Sequence, residues 1–246
     1  MQVALITVGD EILSGDTENT NAGWLARQLT ERGATVARML TIPDERALIA
    51  RHVREWADAF DAVIVTGGLG DTPDDVTLEA VADAFDREMT VQSAVRDRVA
   101  AKAREHREEN PERYEEHDFD LNFEETAALP AEARPLQTEA SFNPGCVVEN
   151  VYVFPGFPEE LRVMFESVAD EFGGDVVSDS VQTGTPEGAL KDVLDGVRDR
   201  FDVAVGSYPA RRGTPGRVKV TGTDADAVGA ATDWLRERIT LTDPPE

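Results

Sequence analysis

Apolar residues in the first two thirds of the chain follow two alternating patterns. VALITV (Val3–Val8) is an unbroken apolar run ending at Gly9, as expected of a strand buried on both faces. Between Thr17 and Arg32, Trp24, Leu25, Gln28 and Leu29 instead form a stripe at helical spacing, and Gly33 supplies a stop signal. The alternation continues with a strand over Ala34–Thr41, a helix over Asp44–Ala59 with Leu48, Ile49, Val53 and Trp56 inward, a strand over Ala62–Thr66 and a helix over Thr77–Phe85. Strands and helices in this order predict an α/β fold: a three-layer α/β/α arrangement around a mostly parallel sheet with right-handed crossovers.

The stretch from Ser93 to Glu125 is charged along most of its length and broken at Pro111; it reads as surface helices. Short apolar pieces separated by prolines and Gly145 fill Leu129–Phe154 and predict strands near a sheet edge. A helix begins after Pro158 within Pro155–Phe172. Gly173-Gly174 marks a boundary, so residues 1–172 form one domain and 173–246 a second, smaller α+β domain. Its predicted elements are a strand (Asp175–Gln182), a helix (Pro186–Arg200), two strands (Phe201–Tyr208, Gly216–Gly222) and a helix (Asp224–Ile239). A unit of this size has little core of its own, so it is expected to pack on the first domain or on a copy of itself, making the protein a homo-oligomer.

Composition narrows the partners. The net charge is −25, from 49 Asp and Glu against 24 Lys and Arg, which repels nucleic acid and anionic membrane surfaces. Only three of the basic residues are lysines (Lys102, Lys191, Lys219). An acid-rich, lysine-poor chain fits a molar-salt, halophilic environment, where the Debye length falls to roughly 3 Å. Cys146 is the sole cysteine, which leaves no intramolecular disulfide or CxxC metal site and predicts a small buried hydrophobe. The N-terminus lacks the basic lead of a signal peptide and no run approaches a membrane span, so a cytoplasmic protein is expected.

Chemistry is expected at VIVTGGLGDTPDDVTLEA (Val63–Ala80). Gly67, Gly68 and Gly70 follow a strand and allow backbone N–H groups to approach an anion, with a helix N-terminus from about Asp75 pointing the same way. The loop is neither GxxxxGK[ST] nor GxGxxG. Gly9-Asp10-Glu11 and Pro43-Asp44 follow the first two strands, so three strand ends deliver carboxylates to one sheet edge. Carboxylates beside a phosphate repel it unless a hard divalent cation bridges them, and such a cation also activates water. The plainer alternative is a tight glycine turn with Asp74 or Asp75 capping a helix.

Taken together, GDEILSGDTENTNAGWLARQL (Gly9–Leu29), IPDE (Ile42–Glu45) and VTGGLGDTPDDVTLEAVA (Val65–Ala82) resemble the MoaB/Mog molybdopterin-binding fold. Within it, NTNA (Asn19–Ala22), GGLG, FNPG (Phe142–Gly145) and FPGFPEELRVMFE (Phe154–Glu166) are similar to the N-terminal part of the competence/damage-inducible protein A (CinA) family, and VGSYP (Val205–Pro209) resembles that family's small α+β module. The resemblance implies a phosphate-holding loop at Gly67, Gly68, Leu69, Gly70 and Thr72. It implies catalytic, metal-holding carboxylates at Asp44 and Asp75, with Asp10 and Asn21 lining the ligand. The implied activity is a pyrophosphatase, using Mg²⁺, Mn²⁺ or Co²⁺, that cleaves ADP-ribose- or FAD-type compounds. A molybdopterin-binding or molybdenum-cofactor biosynthesis protein is the alternative. Two departures touch the pocket: Asp71 stands where the family usually has proline, and NPGC is shorter than the family's segment. They raise a third reading, a non-catalytic nucleotide-binding scaffold.

Other candidates carry less. His52 falls in an amphipathic helix, His106 and His117 in the charged stretch, and no Ser/His/Asp or Cys/His set has a sequence context. Arg211 and Arg212 read as a solvated hairpin loop, and Trp24 and Trp56 as core. The charge makes one expectation immediate: the thermal midpoint rises between dilute buffer and about 1 M KCl as repulsion is screened. A midpoint indifferent to salt would remove the halophilic reading.

Overall fold

The structure, a computed structural model, describes residues 1–109, 122–211 and 215–242. His117, Arg212 and the Pro111 break lie outside the described residues. The chain divides into two units, Met1–Gly173 and Gly174–Glu246.

The first unit is built on a six-stranded sheet. Four strands are parallel: β1 (Gln2–Val8), β2 (Thr35–Ile42), β3 (Ala62–Thr66) and β8 (Val151–Phe154). Two more, β7 (Gly145–Val148) and β6 (Arg134–Leu136), continue the sheet antiparallel, giving the order β2-β1-β3-β8-β7-β6. A separate antiparallel pair joins β4 (Met89–Val91) to β5 (Ala128–Pro130). The expected mostly parallel sheet is present. Of the strands predicted near an edge, β6 forms the edge, whereas β8 lies inside the sheet because its apolar residues pack on both faces.

The alternation of side chains sorts the core into two layers. Ile6, Val8, Val63, Val65, Val151 and Val153 face α3 (Arg46–Ala59), α4 (Thr77–Ala84) and α5 (Ser93–Glu109). Val3, Leu5, Ile64, Tyr152 and Phe154 face α2 (Thr20–Glu31) and α7 (Pro158–Glu166) through Leu25, Leu29, Leu161, Met164 and Phe165. Two short helices complete this unit, α1 (Asp10–Ser14) and α6 (Phe123–Thr126). α5 is not the surface helix that its charge predicts: Val95, Val99 and Ala103 are buried, and these small apolar residues at helical spacing are diluted by charged neighbours in the sequence. Helices expected from Thr17 and Asp44 begin later, at Thr20 and Arg46. Asn19 caps the first, accepting from the Ala22 N–H at 3.1 Å. Trp24 packs edge-on against Phe165 at 5.5 Å, and Trp56 lies partly buried against the other layer.

The second unit is a three-stranded antiparallel sheet in the order β10-β11-β9, formed by β9 (Val177–Thr183), β10 (Ala204–Tyr208) and β11 (Gly216–Gly222). Two helices, α8 (Lys191–Arg200) and α9 (Ala225–Arg236), share its core with Val181, Leu190, Val197, Val218, Val220, Ala231 and Leu235. The helix expected from Pro186 starts only at Lys191, after a short 3₁₀ turn over Glu187–Ala189. Asp224 caps α9 by accepting from the Asp226 and Ala227 N–H groups.

Phe165 is fully buried and meets Trp24, Phe154 and Phe172. Its truncation leaves a cavity that rigid strands on one side cannot fill, so Phe165→Ala is expected to cost about 3–5 kcal/mol. Denaturant unfolding followed through tryptophan fluorescence measures it; a loss well under 1 kcal/mol would contradict the packing.

Candidate functional site

Parallel register places the ends of β1, β2, β3 and β8 along one edge, where Val8 pairs with Ile42 and Thr66 with Phe154. The chain leaves β1 toward β2 on one side while β3 lies on the other, a topological switch point of the kind where open α/β sheets bind ligands. The segments after β1, β3 and β8 enclose a cleft of about 600 Å³.

The glycine loop forms one part of its lining. Gly67 has φ +97°, and a side chain there would run into the Val8 carbonyl, so glycine is required by both conformation and space. Its own N–H donates to the Phe154 carbonyl at 3.2 Å, which takes it out of any anion cradle. The N–H groups of Gly68, Leu69 and Gly70 donate to no acceptor among the described residues. Leu69 turns its side chain into the core and so contributes to the cleft by its backbone. The loop is therefore anchored from below by an apolar residue and presents consecutive free amide donors above.

Asp75 does not cap the following helix. Its Oδ2 accepts from the Thr72 N–H at 3.0 Å and the Thr72 hydroxyl at 2.6 Å, while its N–H donates to the Thr72 carbonyl. The same hydroxyl lies close enough to Asp74 to hold that carboxyl below its ordinary range. The helix begins at Thr77, whose N–H donates to the Gly68 carbonyl and whose buried hydroxyl has no partner. Asp71 accepts from the Thr126 hydroxyl at 3.1 Å, so the residue that departs from proline ties the loop to α6.

Of the expected site residues, Asn21, Gly67, Gly68, Leu69, Gly70, Thr72 and Asp75 line the cleft. Asp10 and Asp44 stand behind the loop: the Asp10 N–H donates to Asp44 Oδ2 at 2.8 Å, and Asp44 Oδ1 would lie 3.5 Å from a Cβ on Gly68. Asp44 is pushed above the usual carboxylate range, first by burial and then by the nearby Asp10, Glu11 and Asp74 charges, with the Asp10 N–H acting the other way. Asn21 spends its amide on the Gly156 carbonyl at 2.6 Å, joining α2 to the turn after β8. Asn19 does similar work below, donating to the Thr7 hydroxyl at 3.0 Å.

Glu11, Glu18, Asn143, Phe157 and Glu160 also line the cleft; single-sequence reasoning did not assign them, although Asn143, Phe157 and Glu160 fall within the FNPG and FPGFPEE segments. Cys146 is fully buried, and burial pushes its thiol up to about 12, as fits a packing residue. His52 is partly buried in α3 beside Glu55 and Trp56 and lies outside the cleft lining.

Residues 4–172 match the family described as probable molybdopterin binding domain, and residues 175–243 match the middle domain of FAD synthase. A protein of Archaeoglobus fulgidus is 36% identical over 97% of this chain and 98% of its own length. A CinA-like protein of Citrifermentans bemidjiense is 32% identical over 97% of this chain and 58% of its own. The crystal structure of CinA from Thermoplasma acidophilum, described as of unknown function, aligns with a TM-score of 0.59 at 27% identity over 70% of this chain and 97% of that one. The chain belongs to the CinA-like family with a MoaB/Mog-type domain. In this CinA-like chain the first match spans the unit that holds the cleft, and the second lies within the unit after Gly173.

The acidic cluster behind the loop stores repulsion. Asp44→Asn keeps an acceptor for the Asp10 N–H and removes one charge, so in chelator-treated protein it is expected to stabilise the fold by up to about 1 kcal/mol at neutral pH. Because the folded carboxyl titrates above its unfolded range, the gain disappears as pH falls through that range and wild-type Asp44 is neutralised. Melting of both proteins between pH 7 and pH 3.5 checks this; a destabilised variant at pH 7 would contradict it.

Proposed function

We propose that this CinA-like protein is a metal-dependent pyrophosphatase acting on nucleoside-diphosphate compounds of the ADP-ribose or FAD class. The observation that carries the reading is the run of free backbone donors at Gly68, Leu69 and Gly70, on the wall of a cleft large enough for a nucleotide. Consecutive N–H groups on a glycine loop at a strand end form an anion cradle, and ligand clefts commonly have volumes of about 300–1,000 Å³.

The donor set bears on a cation. Asp44 and Asp75 approach the loop at Gly68 and Gly70, both with hard oxygen atoms. Among the described residues no three His, Cys, Asp or Glu side chains form a metal cage. Two carboxylates without a closed cage fit Mg²⁺, which keeps several waters and shares its sphere with substrate phosphates. When bound, such a cation supplies neutralisation of the phosphoryl charge and activation of water. The chain's own part would be to seat one phosphate on the loop amides of Gly68, Leu69 and Gly70. Asp75 holds Thr72 in place, and Asp44 and Asp75 would balance the cation's charge.

The match of residues 4–172 to a probable molybdopterin binding domain favours a second reading, a protein that binds molybdopterin without hydrolysing it. Purified protein in about 1 M KCl with ADP-ribose or FAD, and Mg²⁺, Mn²⁺ or Co²⁺ in turn, separates the two: release of nucleoside monophosphate supports the enzyme. Tight pterin binding with no turnover of any dinucleotide supports the second reading.

Asp75→Asn retains an oxygen for the Thr72 hydrogen bonds but loses charge, so turnover is expected to fall about a hundredfold or more with little change in melting temperature. Asp74→Asn should be much milder. Equal turnover of wild type and Asp75→Asn at saturating metal would refute the assignment.

A further inference from the structure

Phosphate chemistry leaves part of the cleft unexplained. Phe142, Asn143, Phe157 and Glu160 line it, and none is needed to hold a diphosphate. Phe157 is 72% exposed, unusual for a large aromatic side chain with no role in the core. Asn143 Oδ1 is buried and accepts no hydrogen bond among the described residues, a cost that a donor supplied by a ligand would remove. Beside it in sequence, the Phe142 backbone N–H lies close enough to Glu160, in the first turn of α7, to favour the charged form of its carboxyl.

This wall is held from behind. Lys102 of α5 donates from Nζ to the Glu139 and Ser141 carbonyls at 2.5 and 2.6 Å, fixing the stretch that runs into Phe142. Its charge also reaches Glu160, whose carboxyl is raised by burial and lowered in part by the Phe142 N–H and by Lys102. Burial, the largest influence, leaves the Glu160 carboxyl raised overall, and no basic side chain is bonded to it among the described residues. The cleft lining therefore carries two side chains with acceptor oxygens, Asn143 and Glu160, together with the exposed Phe157. An amino group on a flat heterocycle matches both: it offers two hydrogens for two acceptors, and its ring offers a face for the aromatic side chain.

We propose that Glu160 and Asn143 are specificity residues that accept hydrogen bonds from an exocyclic amino group of the ligand's heterocycle, with Phe157 against the ring. The inference rests on the reading of the glycine loop as the phosphate end. It selects adenine- or guanine-type rings and rejects rings with a carbonyl in place of the amino group, because that carbonyl would face two acceptors.

Calorimetry with ADP, GDP and IDP, in Mg²⁺ and about 1 M KCl, tests it. IDP carries a carbonyl where ADP has its amino group and lacks the amino group of GDP. Wild type is expected to bind ADP or GDP at least about tenfold tighter than IDP, the effect of a hydrogen bond to a charged acceptor; whichever of the two binds better identifies the ring. Glu160→Gln presents an amide that donates as well as accepts, so the preference over IDP should shrink or reverse. A purely structural role would leave the ratio unchanged. Thr72→Val should weaken all three nucleotides together and leave the ratio intact. Equal binding of the three by wild type would overturn the inference and spare the phosphate loop, whatever the folding of any variant. A ratio that survives in Glu160→Gln would also overturn it. Failure of wild type to bind any of them would overturn both readings.

Discussion

Parallel pairing of β1, β2, β3 and β8 is the constraint from which the cleft follows. Strands that run the same way finish at the same edge, so the turns after Val8, Ile42, Thr66 and Phe154 meet there though they lie far apart in sequence. The pairing is secured by burial on both faces. β1 and β3 sit between two helical layers, and a slip of one residue would exchange every side chain between them. Gly67 locks the loop into this frame, with its N–H on Phe154 and its α-carbon against the Val8 carbonyl. No other residue type fits that place without pushing β1 and β3 apart.

The charge distribution opposes the fold where the chemistry is expected. Asp10, Glu11 and Asp74 gather around Asp44 beside a loop suited to anions, and burial first, then their repulsion, raises the Asp44 carboxyl. The Asp10 N–H relieves only part of it. Sites that hold charged groups in unfavourable surroundings are where stability is given up for function. Elsewhere the acidic surface is partly matched by arginine, as in the Arg46–Asp83 and Arg134–Glu171 pairs. Such exposed pairs contribute little individually.

The second unit solves the problem of a small core by antiparallel pairing and two helices on a shared apolar cluster.

The sequence by itself determined the elements whose signals are local. The apolar runs of β1 and β3, the helical stripe at Leu25 and Leu29, and the glycines of the loop are legible because their period or their residue type states the backbone required. It also showed that Asp10, Asp44 and Asp75 follow strand ends, and through its motifs the family. Tertiary structure alone decided what those groups do. Asp75 binds Thr72 rather than capping a helix, the Gly67 N–H is consumed by β8, and α5 buries a face hidden among charges. Asn143 and Glu160 become neighbours of the loop's cleft only because β8 runs parallel to β3. Hydrogen-bond partners and burial depend on which distant segments a fold brings together, and residue type and spacing carry no record of that distance.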